Sequence, residues 1–93
     1  MNKWKLTIIG KGGHGAEPHN TIDATVIVSE FVRKISKYPE IDILSISSGN
    51  AFNVISEKAE VIIQTSSKDI IERIISSLLL YYGDKTSYKL IKW

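Results

Sequence analysis

Two histidines are the side chains of this 93-residue sequence best suited to proton or hydrogen-bond chemistry near neutral pH. His14 lies in Gly10-Lys11-Gly12-Gly13-His14-Gly15, where four of six positions are glycine, and His19 follows Glu17-Pro18. His14, Glu17 and His19 could hold a divalent ion. A catalytic zinc, however, wants three protein ligands in fixed geometry, and no His-Glu-x-x-His pair at helical spacing is present. An imidazole among small neighbours has another use, because it and nearby backbone amides can approach a ligand closely and donate to a developing oxyanion. A solvated histidine is the plain alternative. Asn53 is similarly open: a turn residue satisfying backbone groups, or an amide presented to a ligand. Gly10-x-Gly12-x-x-Gly15 also has the spacing of a dinucleotide fingerprint, whose physics needs a helix directly beneath the pyrophosphate. Here Glu17-Pro18-His19-Asn20 intervenes, and Lys11 lacks the following Ser or Thr of a Walker loop. A glycine-rich turn between strand and helix accounts for the same residues.

The elements that must position these residues follow from hydrophobic periodicity. Trp4, Leu6 and Ile8 alternate with Lys5 and Thr7, the period of a half-buried strand. Pro18 keeps Glu17 out of the helical region, so the glycine segment is a structured loop. Asn20 is a good N-cap, and Ala24, Ile27, Phe31, Ile35 and Tyr38 recur at three and four, predicting a helix over about Thr21 to Lys37, ended by Pro39. Ile41 to Ser47 reads as a second strand of ambiguous facing, since Ile41 and Ile43 lie on one side and Leu44 and Ile46 on the other. After a turn at Ser48-Gly49-Asn50 and the stretch Phe52-Asn53-Val54-Ile55, Ala59, Val61 and Ile63 alternate as a third strand, with Ile62 a misfit. Ser67 can cap a second helix with an Ile71, Ile74, Ile75, Leu78, Tyr82 stripe, closed by Gly83 where a left-handed residue is wanted. Tyr88 to Trp93 is the fourth strand. This order predicts an α+β, ferredoxin-like βαββαβ fold: a four-stranded antiparallel sheet, strands two and four at its edges, with two helices on one face.

Length and composition bound the function. A 93-residue chain is one domain, residues 1–93, burying roughly 65% of its unfolded surface. Twelve basic against ten acidic residues leave a net charge of +2, too weak a field to make nucleic acid or an anionic membrane the expected partner. An RNA-binding sheet would need exposed aromatics on the central strands, and Trp4 and Phe52 are not in such a pattern. No apolar run approaches the ~20 residues of a membrane span. Without cysteine there is no thiolate nucleophile and no Cys-based zinc site, and with no signal-peptide pattern at the start the expected location is cytoplasmic.

Two segments, Gly10 through Asp23 and Ala51-Phe52-Asn53-Val54-Ile55, taken together resemble the dimerisation (lid) domain of the zinc-dependent exopeptidase family that includes carboxypeptidases, aminoacylases and N-acyl amino acid amidohydrolases. The Gly-Lys-Gly-Gly-His and Ala-Phe-Asn-Val-Ile forms are most similar to the aminoacylase-like branch. The resemblance implies a domain inserted in a larger catalytic domain that holds the zinc ions and is absent from this chain, so that the chain alone is inactive and carries no metal site. It also implies a homodimer in which His14 reaches the partner subunit's site to stabilise the tetrahedral intermediate. Asn53 would contact substrate, and Gly12, Gly13 and Gly49 would shape the surrounding loops. Two positions depart from the family pattern: Ser56 replaces the proline after Asn-Val-Ile, and Ser66 stands where the family has an arginine for the substrate carboxylate. The competing expectation is a free-standing ferredoxin-like homodimer that binds a ligand or a protein. The apolar strand Ile41 to Ser47 supplies a physical motive for pairing, through this edge and the first helix.

Overall fold

A computed structural model describes residues 2–11, 22–49, 57, 58–83 and 85–93, together with the backbone of 13–14 and 54–55. Its elements run β1 (Asn2–Ile9), β2 (Gly13–His14), α1 (Ala24–Ile35), β3 (Asp42–Ser48), β4 (Val54–Ile55), β5 (Lys58–Thr65), α2 (Lys68–Tyr82) and β6 (Ser87–Lys92). The main sheet has the order β3-β5-β1-β6, antiparallel throughout, so β3 and β6 are the edges and the ferredoxin-like α+β arrangement is present. The alternation read from the sequence is that of the sheet. Leu6 and Ile8 on β1 and Ala59, Val61 and Ile63 on β5 are wholly buried against Ile27, Phe31 and Ile35 of α1 and Ile71 and Ile75 of α2.

The second face of the sheet is uncovered by helices. Lys5 pairs with Ile62 on one side and Ile91 on the other, which explains the Ile62 misfit: it lies on this outer face, half-buried in a cross-strand row. Among the described residues, the outer face of the two central strands carries Lys3, Lys5, Thr7, Ile9, Lys58, Glu60, Ile62 and Gln64, with no aromatic ring for a base to stack on. Trp4 belongs to the helix side, where its indole N–H donates to the Thr65 carbonyl at 3.3 Å.

The ambiguous facing of β3 has a structural cause. The register slips between Ile43 and Ser45, so Ile43 opposes Ile63 and Ile46 opposes Val61, both on the helix side. One extra residue, Leu44, absorbs the mismatch as a bulge. The first helix begins later than predicted: Asp23, not Asn20, is its N-cap, its Oδ1 accepting from the Thr25 N–H at 2.8 Å. Ile22 cannot be helical because its backbone is bonded in both directions to Lys11, and Asn20 and Thr21 lie outside the described residues. Helix α1 stops at Ile35 rather than Lys37, with the Ser36 hydroxyl donating to the Arg33 carbonyl. Ser67 caps α2 by position only, for its side chain makes no cap bond; its N–H instead donates to Thr65 Oγ1 at 3.0 Å. Gly83 has positive φ (99°) as expected, but with an extended ψ of −179° rather than the left-handed helical value.

Candidate functional site

The glycine loop is clamped at one end of the sheet, beyond Ile9. Gly10 donates to the Glu57 carbonyl at 2.8 Å, tying the exit of β1 to the entry of β5. The next residue, Lys11, exchanges two backbone hydrogen bonds with Ile22, at 2.8 and 2.7 Å, fixing the loop to the segment that enters α1. Glycine is required at position 10 for a packing reason: a Cβ there would stand 2.3 Å from the Ile22 carbonyl oxygen, a backbone atom that the Lys11 bridge holds in place. The loop then forms β2, whose Gly13 pairs with Ile55 and whose His14 pairs with Val54 in a separate two-stranded ribbon.

That ribbon joins the two sequence segments singled out for chemistry. The backbone of His14 runs beside that of Val54, the residue after Asn53 in sequence. Gly12, Asn53, Glu17, His19 and Ser56 lie outside the described residues, and Gly13 and His14 are placed by backbone alone. Gly49 leaves β3 at the same end with φ of 72°, and beside it the hydroxyls of Thr25 and Ser48 are hydrogen-bonded, tying α1 to the β3 terminus. Sequence periodicity gave no warning of the β2–β4 ribbon, because a two-residue strand is too short to alternate; nor did it show the packing role of Gly10.

Charged side chains of both signs gather at this end. Lys85, in the turn before β6, holds the Lys11 ammonium below the usual lysine range, because its own ammonium can donate to Lys11 only when Lys11 is a neutral amine and repels it when charged. Glu60 is held below the usual carboxylate range chiefly by Lys5, whose Nζ is 2.9 Å from Oε2, with Lys58 3.3 Å from Oε1. Among the described residues no three His, Cys, Asp or Glu side chains gather as metal ligands. Ser66 is exposed and lies at the opposite end of β5 from the loop, across an eight-residue strand that spans roughly 25 Å.

A family model described as the peptidase dimerisation domain matches residues 1–78. The chain belongs to that family. Thermostable carboxypeptidase 2 of Saccharolobus solfataricus is 32% identical over 108 aligned positions, covering 96% of this chain and 28% of that protein. An N-acyl-L-amino acid amidohydrolase of Geobacillus stearothermophilus is 34% identical over 70 positions, 64% of this chain and 19% of that one. The chain therefore spans less than a third of the length of these relatives. The crystal structure of aminoacylhistidine dipeptidase from Vibrio alginolyticus superposes with a TM-score of 0.83 at 17% identity, over 99% of this chain and 21% of that one, a likeness of fold. As a peptidase dimerisation domain, the chain has the six main elements read from its sequence, with the β2–β4 ribbon added. No helix among the described residues is long and apolar enough to cross a membrane.

Proposed function

We propose that this peptidase dimerisation domain, residues 1–93 as one unit, is the lid of a zinc-dependent amidohydrolase or carboxypeptidase, pairs with a second copy, and lends His14 to the partner subunit's active site. The observation that carries the reading is the β2–β4 ladder, which sets the His14 backbone beside the stretch that follows Asn53. His14 donates a hydrogen bond to the oxyanion of the tetrahedral intermediate, Asn53 contacts the substrate, and Gly12, Gly13 and Gly49 let the loops come close to it. Zinc, held by a domain outside this chain, supplies Lewis acidity and an activated water. The adjacency of the chain's ends supports insertion into such a domain: the Trp93 N–H donates to the Lys3 carbonyl at 2.9 Å.

The length of the sheet supports action in trans. With roughly 25 Å between the loop end and position 66, one lid cannot bring both ends to a single small substrate. The two ends suit two different active sites of a dimer.

The isolated chain, mixed with zinc and N-acyl amino acids, is expected to hydrolyse nothing above blank; turnover would place a metal site within these residues and sink the proposal. In the longer protein, His14→Ala is expected to lower kcat by about 10²–10³-fold with zinc content unchanged. Unchanged kcat would remove His14 from the chemistry. Ser66, in place of the family arginine, favours a second reading, a free-standing homodimeric binding module, since serine cannot supply a bidentate contact to a carboxylate. A neighbouring coding segment bearing His and Asp metal ligands would decide for the lid.

A further inference from the structure

The outer surface of the helical layer holds a cleft between α1 and α2 of about 570 Å³, within the size range of small-ligand sites. It is on the side of α1 away from β3, for Thr25 bonds to Ser48 on one flank while Glu30 bonds to Tyr82 of α2 on the other. Ile74, half-buried, and Leu78, 5% exposed, contribute apolar lining. Tyr81 also lines the cleft; it is 83% exposed, and its ring meets that of Tyr82 edge to face, 5.4 Å between centroids.

The charges of the cleft are unbalanced. Glu30 and Lys34 stand one turn apart on α1, the spacing of an ordinary helical ion pair. Glu30 is instead taken by Tyr82, whose hydroxyl donates to Oε1 at 2.6 Å. Across the cleft, Arg73 comes from α2. Among the described residues neither Lys34 nor Arg73 has an acidic partner within ion-pair distance. Two cations, one from each helix, against the single carboxylate of Glu30 leave the lining net positive, and with Ile74, Leu78 and the Tyr81 ring beside them they match a ligand that has one carboxylate and an aromatic body. A guanidinium binds a carboxylate through two parallel hydrogen bonds, and the tyrosine ring stacks on or meets the edge of the aromatic group.

We infer that the α1–α2 cleft is a binding site for a small aromatic monocarboxylate, held by Arg73 and Lys34 with its ring against Tyr81. The site is separate from the glycine loop and does not depend on the lid reading.

The test is a titration of the ¹⁵N-labelled 93-residue chain with 3-phenylpropanoate, followed by amide chemical shifts. Saturable shifts are expected at Glu30, Lys34, Arg73 and Tyr81, with a Kd of about 1 mM or below. Arg73→Gln and Lys34→Gln, both at exposed positions and checked for folding by their dispersed spectra, should each weaken binding about tenfold, and 3-phenylpropanamide should bind about tenfold more weakly than the acid. Tyr81→Ala should weaken the aromatic acid while leaving the weak response to acetate unchanged. Shifts that do not saturate by about 10 mM, shifts centred elsewhere, or equal binding of the amide would overturn the assignment. So would an acidic peptide saturating the same amides while 3-phenylpropanoate leaves them unmoved.

Discussion

At the scale of single residues, Gly10 and Tyr82 show how little local sequence reveals about a constraint. Gly10 is one of four glycines in its loop, yet its Cβ position collides with a carbonyl oxygen contributed by Ile22, twelve residues on. Gly10→Ala is expected to destabilise the chain by about 2 kcal/mol, since neither backbone segment can yield without breaking the Lys11–Ile22 bridge. A urea midpoint indistinguishable from the parent would show that the segment shifts freely. Tyr82 titrates late: burial, with the Glu30 carboxylate adding to it, pushes its hydroxyl from 10.0 up to about 12. Because the folded value is raised, the neutral phenol contributes stability that is fully present below pH 10 and is lost as pH rises through about 12. Tyr82→Phe should lose stability at neutral pH, where the hydrogen bond to Glu30 is removed, and show a shallower decline between pH 10 and 12. Parallel pH profiles for the two proteins would refute the linkage.

At the scale of elements, caps and bulges set the boundaries that hydrophobic period leaves open. Asp23 and Asn20 are both competent caps by residue type, and the long-range bridge from Lys11 to Ile22 chooses between them by holding Ile22 extended. Asp23→Ala should therefore cost about 1 kcal/mol, measured by thermal or denaturant unfolding. A loss no larger than a few tenths would mean the Thr25 N–H finds another acceptor. The bulge at Leu44 is the corresponding device in β3: it lets a strand whose apolar residues change side still present Ile43 and Ile46 to the helix layer. A strict two-residue period would have sent one of them to the outer face.

At the scale of the whole molecule, the exposed large apolar residues of the sheet lie at its two edges, while Val26, Leu80 and Tyr81 are exposed on the helices. Leu44 and Ile46 on β3 are 47% and 49% exposed, and Ile91 and Trp93 at β6 are 52% and 63% exposed. Lys5 stands 5.0 Å over the Trp93 ring, giving the β6 edge a charged neighbour, whereas β3 is an open edge with apolar side chains. We expect the chain to dimerise through β3 and the adjacent helix. Sedimentation at tens of micromolar should give a dimer, and Leu44→Lys with Ile46→Lys should give a folded monomer. A monomeric parent chain, or a double variant that stays dimeric, would exclude this surface.

Much of the architecture was legible because it rests on repeated, local patterns. Trp4, Leu6 and Ile8, then Ala59, Val61 and Ile63, carry a period of two, and Ile27, Phe31 and Ile35 carry the helical one; each pattern buries a continuous face, so the succession of strands and helices followed from residues close in sequence, and the rules of connection gave the strand order. The glycine loop and the Asn-Val-Ile stretch were legible as residues of interest, but their meeting was not. Gly13 and His14 pair with Ile55 and Val54 across some forty residues, and a two-residue strand has no period to betray it. The same holds for Glu30 and Tyr82, which lie on different helices and meet only once both are packed on the sheet. Sequence alone determined which faces must be buried, since that depends on side-chain type and spacing. Tertiary structure decided which backbone carbonyl meets Gly10, which residue caps α1 and where Glu30 sends its carboxylate, because each depends on two chain segments arriving at one place.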